Sequence, residues 1–512
     1  MTDDLQPAAS SAQPSSLQIA LAGCVLTVAW MLAAYDGMAH WFLGPVLLCG
    51  VLIGQDAVEY LRGRLDMFDP VGIIGLFGVH FFFLAPLLHV AWDSYLEPYI
   101  DQPTEWRVWL GWMALINAAG LCLYQGARRR AVLWGGDSPP RTMRRMDRRR
   151  MLAGCVLGLV ISGVLQAWFY ASHGGVMTYI DTITANVGVA EEDQADRGMG
   201  IVFMVSESFP ILAILLFAVL AERRKYARGL AIVLIALTAF FVLKIFFGGL
   251  RGSRSNIVWG LFWAAGIIHV WVRPMSRQLV ATGLCFMVAF MYLYGFYKGL
   301  GREAFAAYED GSLTQKSKRS MDTMLLGDLG RADVHAFLLH RILREDSDYQ
   351  LGWGRTYIGA LGLLIPRQFY PHRMPIKTME GTDAFFGAGT YDAGKWYSSK
   401  VYGIAGETML NFGPWLVPFA YLLFGLVIGR LQRFLRRIDR SDARLLIYPF
   451  LVNWCFSILQ SDSDNLIFNF IKDGMMPMTV VWCGSRRVLR AGASSEERTP
   501  DHATSPSEAL PA

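Results

Sequence analysis

The length of its apolar runs is what most constrains this chain. Apolar residues come in blocks of roughly 18 to 25, each enough for a helix to cross a hydrocarbon core of about 30 Å. A soluble chain of 512 residues would instead divide into two or three domains with alternating apolar and polar patterning. The 54% apolar content, a mean hydropathy of +0.33 and 16 Trp with 31 Phe fit a bundle with aromatic belts at its interfaces. The blocks predict an all-α polytopic membrane protein of about twelve transmembrane helices. Their approximate spans are 17–35, 38–54, 70–92, 106–126, 151–171, 199–221, 229–247, 255–272, 279–298, 403–429, 445–460 and 466–485.

The chain therefore divides into a tail at 1–16, nine helices over 17–298, a large loop at 299–401, three helices over 402–485 and a second tail at 486–512. Residues 1–16 lack the basic n-region of a cleaved signal peptide, so the first block reads as a retained helix. Both tails are rich in Pro, Ser, Ala and Glu and are expected to be disordered. None of the seven Cys forms a CxxC pair, and all sit in apolar blocks as small hydrophobes.

Charge sets orientation. With the N-terminus in the cytoplasm, the even-numbered connections are EYLRGRLD (59–66), 127–150, ERRKYAR (222–228), RPMSR (273–277) and RLQRFLRRIDRSDAR (430–444), and all are basic. The odd ones include 93–105, 172–198 and SDSDN (461–465), which are acidic or neutral. This is the positive-inside pattern of a multi-pass protein of the bacterial inner membrane with both termini cytoplasmic. The short outer turn GGLRGSR (248–254) breaks it, because Arg251 and Arg254 stand on the outer side, where anion binding would give them a purpose.

The periplasmic loop 299–401 is expected to be structured. It carries aromatics throughout and balanced charge, 13 Lys+Arg against 12 Asp+Glu. RADVHAFLLHRIL (331–343) places Val334, Phe337, Leu338 and Ile342 on one helical stripe. YIGALGLLI (357–365) is apolar, too short to span and stopped by Pro366; it either dips into the interface or packs on the bundle.

No nucleotide-binding loop, dinucleotide fingerprint or HExxH occurs. Group transfer would have to draw its energy from the substrate, as a sugar on a polyprenyl diphosphate does. Such a leaving group needs cations, and Arg grips phosphate oxygens in pairs. The candidates are Arg251 and Arg254, with Lys244 one turn earlier, and Arg331, Arg355, Arg367, Arg373, Lys377 and Lys400 in the loop. The alternative is that they are solvated charges or headgroup anchors. An acceptor hydroxyl needs a base, for which Glu407, His335, Asp333 and the pair Asp462 and Asp464 are available. Glu407 and Glu207 lie in apolar helices, where an ionisable group is either functional or paired. Asp462 and Asp464 suit a divalent cation or a helix cap equally, and no metal site is assigned.

Three segments carry a resemblance: FDPVGIIGLFGVHFFFLAPL (68–87), GGLRGSRSNIV (248–258) and YGIAGETMLNFGPWLVPFAYLLFGLVIG (402–429). In them the chain resembles the Wzy-type oligosaccharide repeat-unit polymerases, which include O-antigen polymerases. The resemblance implies a fold similar to the C-type membrane glycosyltransferases, with a periplasmic active site and no cofactor. The substrates would be undecaprenyl-diphosphate-linked repeat units, polymerised into O-antigen or exopolysaccharide. Partners would be membrane lipid, a chain-length regulator and a flippase, with no nucleic acid. It favours Arg251 and Arg254 first, then the loop arginines. Alternative readings are O-antigen ligase-type transfer, a lipid-linked oligosaccharide flippase or transporter, and a scaffolding component of an assembly complex.

Overall fold

The computed structural model describes residues 14–95, 102–133, 142–185, 200–222, 229–251, 254–300, 303–317, 320–365, 369–391 and 401–489. Among them, eight helices are long and apolar enough to cross a membrane, which is compatible with a multi-pass membrane protein. In chain order the elements used below are α1 (Ser16–Ala34), α2 (Leu43–Leu61), α3 (Pro70–Ala91), α4 (Trp106–Leu133), β1 (Thr142–Met146), α5 (Arg148–Ser172), α6 (Met204–Ala221), α7 (Leu230–Phe246), α8 (Asn256–Val272) and α9 (Arg277–Tyr297). After the large loop segment come α14 (Pro414–Arg437) and α15 (Tyr448–Gln460). The last helical stretch is α16 (Ser463–Asn469), which runs through a π-helical segment, Phe470–Met475, into α17 (Met476–Cys483). The eight long spans are α1 to α6, α9 and α14; α7 and α8 are apolar but shorter.

Several boundaries differ from the sequence reading for local reasons. The first helix begins at Ser16, inside the stretch assigned to a tail. The Ser15 hydroxyl accepts the Gln18 N–H at 3.2 Å, and the Gln18 side chain accepts the Ser15 N–H at 2.8 Å, a reciprocal cap. The second helix starts at Leu43, not 38, and runs on to Leu61. The expected span 403–429 is two helices, because Gly413 adopts a positive φ of 80° and Pro414 offers no N–H to continue the first. Its first half, α13 (Gly403–Phe412), is buried under the loop, and only the second half belongs to a long apolar helix.

The bundle is held by close approach of small residues, the means available where lipid supplies no hydrophobic drive between helices. Gly425 and Gly429, four apart on α14, lie against the α4 backbone, and a methyl on Gly429 would stand 2.6 Å from the Arg128 carbonyl oxygen. Arg128 itself is not part of a cytoplasmic loop. Helix α4 continues through it to Leu133, and its guanidinium makes two 2.9 Å hydrogen bonds to the Asp56 carboxylate on α2, both side chains buried. Residues assigned to the second tail also have structure: β2 (Ser485–Leu489) pairs antiparallel with β1 in the basic connection, Arg144 opposite Arg487 and Arg145 opposite Arg486.

Within 299–401 the expected amphipathic helix is present as α10 (Ala332–Leu343), with Val334, Phe337 and Leu338 buried. Two further helices, α11 (Arg355–Gly362) and α12 (Lys377–Phe386), join it around α13.

Candidate buried carboxylate site

Glu407 sits mid-way along α13 with its side chain withdrawn from solvent. Three donors converge on it: the Thr356 hydroxyl of α11 at 2.7 Å, and the Ser463 N–H and hydroxyl at the start of α16 at 2.7 and 2.5 Å. Asn411, one helical turn on, donates its side-chain amide to the Thr356 hydroxyl and to the Glu407 backbone carbonyl, both at 2.8 Å. The Asn411 side-chain oxygen in turn accepts the Gly354 N–H at 3.0 Å, which holds the start of α11 in place. Helix α13 lies outside the eight long apolar helices. Burial there pushes the Glu407 carboxyl up to about 7, with the charge of neighbouring Asp462 adding to the rise.

Asp462 lies in the short link between α15 and α16. Its Oδ1 accepts the N–H groups of Tyr402 and Gly403 at 2.8 and 3.0 Å, capping α13, and its Oδ2 takes Lys377 Nζ of α12 at 2.5 Å. Gly403 is required at that approach, because its φ is +64° and any Cβ would collide with the Leu459 carbonyl. Burial raises the Asp462 carboxyl to about 6 despite Lys377. Asp464 accepts the Thr378 hydroxyl at 3.2 Å and the Asn465 N–H at 2.7 Å. The pair therefore joins loop helices to the bundle, and no cluster of three metal-ligating side chains occurs among the described residues.

The other sequence candidates divide sharply. His335 on α10 is buried and places Nε2 2.6 Å from the Tyr402 carbonyl oxygen, to which it donates. Burial lowers its pKa to about 4, so it ties α10 to the start of α13 as a neutral donor. Asp333 stands apart from Glu407: it accepts the Val334 N–H at 2.7 Å and lies 3.5 Å from His89 at the end of α3. Arg331 donates to the Gly327 and Gly330 carbonyls, and its charge acts on Asp462. Arg355 pairs with Glu380 at 2.6 Å, and with its side chain 37% exposed it is where this network meets solvent. Arg373 donates to the Ile365 carbonyl at the far end of α11. Arg367 and Lys400 lie outside the described residues, as do the side chains of Arg251 and Arg254. The backbone of Arg251 closes a short 3-10 turn, and Arg254 opens the next helix.

Lys244 and Glu207 belong to a second buried network. Lys244 Nζ is 3.1 Å from Asp473, Glu207 is 3.4 Å from Lys472, and Asn256 donates to Glu207 at 2.5 Å. Lys472 and Asp473 occupy the π-helical segment that interrupts the last apolar stretch.

Sequence reasoning did not select Thr356, Ser463 or Asn411 as partners of Glu407. One signal was available for Asn411, whose four-residue spacing from Glu407 puts both on one helical face. Comparison of the chain with protein-family models, with curated proteins and with solved structures finds no match in any of the three.

Proposed function

We propose that the chain is a membrane glycosyltransferase that polymerises undecaprenyl-diphosphate-linked oligosaccharide repeat units at the outer face of the bacterial inner membrane, with Glu407 as general base. This reading keeps the twelve-span topology with both termini cytoplasmic and segment 299–401 in the periplasm. Helices α7, α8, α15 and the α16–α17 stretch complete the count. The observation that carries it is the Glu407 site: a buried carboxyl held near pH 7, ringed by hydroxyl donors, at the junction of the loop helices and the bundle.

In the reaction, the acceptor hydroxyl oxygen bonds to the anomeric carbon of the donor sugar. The bond from that carbon to the diphosphate oxygen breaks, and the diphosphate leaves with the electron pair. The hydroxyl proton must go to a base. Glu407 is enclosed, whereas Ser463 is only half-buried and its hydroxyl touches the carboxylate. The Ser463 hydroxyl passes its own proton inward to Glu407 as it takes the acceptor's. A carboxyl titrating near 7 is suited to this, being both ionised and basic at working pH. Arg355 next to Thr356 is the cation best placed for the leaving diphosphate, exchanging Glu380 for phosphate oxygens. Arg251 and Arg254, favoured by the resemblance, are the second pair.

The test is reconstitution with a lipid-linked repeat unit as both donor and acceptor, read as product chain length and release of undecaprenyl diphosphate. Chains of many units with wild type and single units with Glu407→Gln support the reading. Chain extension that is indifferent to Glu407→Gln rejects the base. In a parallel reconstitution with a lipid core sugar added as acceptor, transfer to that sugar without chain extension by wild type assigns the ligase chemistry.

A further inference from the structure

Helix α11 is built inside out. Its inward positions are Thr356, Gly359, Ala360 and Gly362, all small and all buried. Gly359 packs so closely on the backbone of Met374 and Pro375 that no side chain would fit. Outward stand Ile358 and Leu361 of the helix and Leu364 and Ile365 of the turn that follows it, all large, apolar and exposed. The spacing of three and four residues puts them on one face with no charge among them. Trp353 before the helix and Phe369 after it are exposed by 76% and 79%. In water such a face would be an aggregation liability, since single exposed hydrophobes are ordinary and contiguous ones are not.

The position of α11 says what covers it. The Gly352 and Trp353 N–H groups donate to the Leu410 and Asn411 carbonyls at 2.9 and 2.8 Å, and the Tyr357 ring stacks on Phe412. These contacts fix α11 beside the break at Gly413, where the membrane-length helix α14 begins. There Trp415, Phe419 and Leu423 are exposed in the same way. On a helix that crosses a bilayer, that stripe faces acyl chains. Trp353 is held in the left-handed region, φ 49°, a conformation that a bulky residue rarely adopts. Its indole is exposed, as is that of Trp415, and Trp side chains mark the headgroup level of a bilayer. Arg355 and Arg373 lie at the two ends of the helix, where charged heads reach the polar layer.

We propose that α11 is a monotopic helix whose outer face is embedded in the bilayer leaflet at the Pro414 end of α14, covered by bilayer lipid. This rests on the chain spanning a membrane and not on glycosyl transfer. Its inner face carries Thr356, which bonds Glu407, so the carboxylate site lies one helix thickness from lipid. A substrate borne on a lipid would then reach the site sideways from the leaflet.

The experiment places the photo-crosslinking residue p-benzoylphenylalanine at Leu361, at Trp353 and, as control, at Asp346, an exposed carboxylate of the same segment. The full chain is reconstituted in phosphatidylethanolamine and phosphatidylglycerol vesicles, irradiated and analysed by mass spectrometry. Each variant is first checked to elute like wild type. Lipid adducts at 361 and 353 should exceed those at 346 by roughly tenfold or more, the ratio expected from moving one leucine-sized side chain into apolar surroundings. Equal, low lipid adducts at all three positions would overturn the proposal, placing α11 in water. Adducts between two copies of the chain at 361 would overturn it in favour of a self-association surface. Neither readout needs turnover, so an inactive protein leaves the proposal fully testable.

Discussion

Replacing Glu407 with Gln separates holding the fold from moving a proton. The fold accepts the change. The Gln oxygen takes the place that accepts the Ser463 N–H, and its amide donates to the Ser463 and Thr356 hydroxyls, each of which has a lone pair to spare. What disappears is a titration. Burial and the Asp462 charge move the carboxyl from an ordinary 4.5 to about 7. The folded state therefore holds a proton that the unfolded chain releases between those values, and stability falls as pH rises through that window. At about 1.4 kcal/mol per pKa unit, the full penalty on the ionised form is on the order of 3 kcal/mol. Between about pH 5 and pH 8 the part expressed is roughly 2 to 3 kcal/mol, because at pH 5 the unfolded carboxyl is already mostly ionised.

The assay is unfolding followed by tryptophan emission in detergent at both pH values, for wild type and Glu407→Gln. Other groups titrate in both proteins, so the quantity that matters is the difference between the two pH dependences. We expect wild type to lose roughly 2 to 3 kcal/mol more than the variant over this range. In the reconstituted reaction, wild-type kcat/KM should rise with pH about a midpoint near 7, and the variant should be inactive while remaining folded. Identical pH dependences would mean that Glu407 ionises like an exposed acid, and both the burial argument and its role as base would fail.

Three further outcomes follow from named contacts. Ser463→Ala keeps the backbone donor but removes the hydroxyl that lowers the Glu407 pKa, so kcat should fall by roughly 10²-fold and the pH midpoint should move upward; an unmoved midpoint refutes the relay. Lys377→Met leaves Asp462 buried with only two N–H donors and should cost about 3–5 kcal/mol. Adding Asp462→Asn should restore much of that, as a double-mutant cycle in chemical unfolding would show. Arg128→Met strands Asp56 inside the bundle at a similar cost of about 3–5 kcal/mol. The double change with Asp56→Asn should recover folded yield; no recovery would show that Arg128 acts through packing on α14 instead.

The parts of this fold legible in the sequence are those whose physics is local. Apolar length predicts α1, α3, α5 and α9 to within a few residues, because crossing a bilayer imposes a length on each helix alone. The α10 stripe is legible for the same reason, one face and one period. Hydropathy runs without a gap across 403–429, whereas the break there depends on the φ of a single glycine before a proline. Asp56 and Arg128, 72 positions apart, show no pattern until α2 and α4 lie side by side. The β1–β2 pair joins a basic connection to an expected tail, and two five-residue strands leave no apolar alternation to detect. Glu407 was legible as a costly acid in an apolar setting, but its three donors come from two distant segments, and only packing brings Thr356 and Ser463 to it.

Assembly from distant segments also constrains what the site can be. A purely structural carboxylate would serve best paired directly with a cation, as Asp56 is with Arg128. Near Glu407 the cations Lys377 and Arg331 act on Asp462, and the described groups that hydrogen-bond the Glu407 carboxylate are neutral donors. The carboxylate of Asp462 lies beside Glu407, and a second negative charge on Glu407 is costly in that buried setting. It is relieved by one proton, taken up near neutral pH on the acid whose hydroxyl neighbour reaches outward. On the proposed reading, the carboxyl gains and loses that proton through Ser463. Chemistry that removes a proton from a hydroxyl once per turnover requires that property, and holding helices together does not.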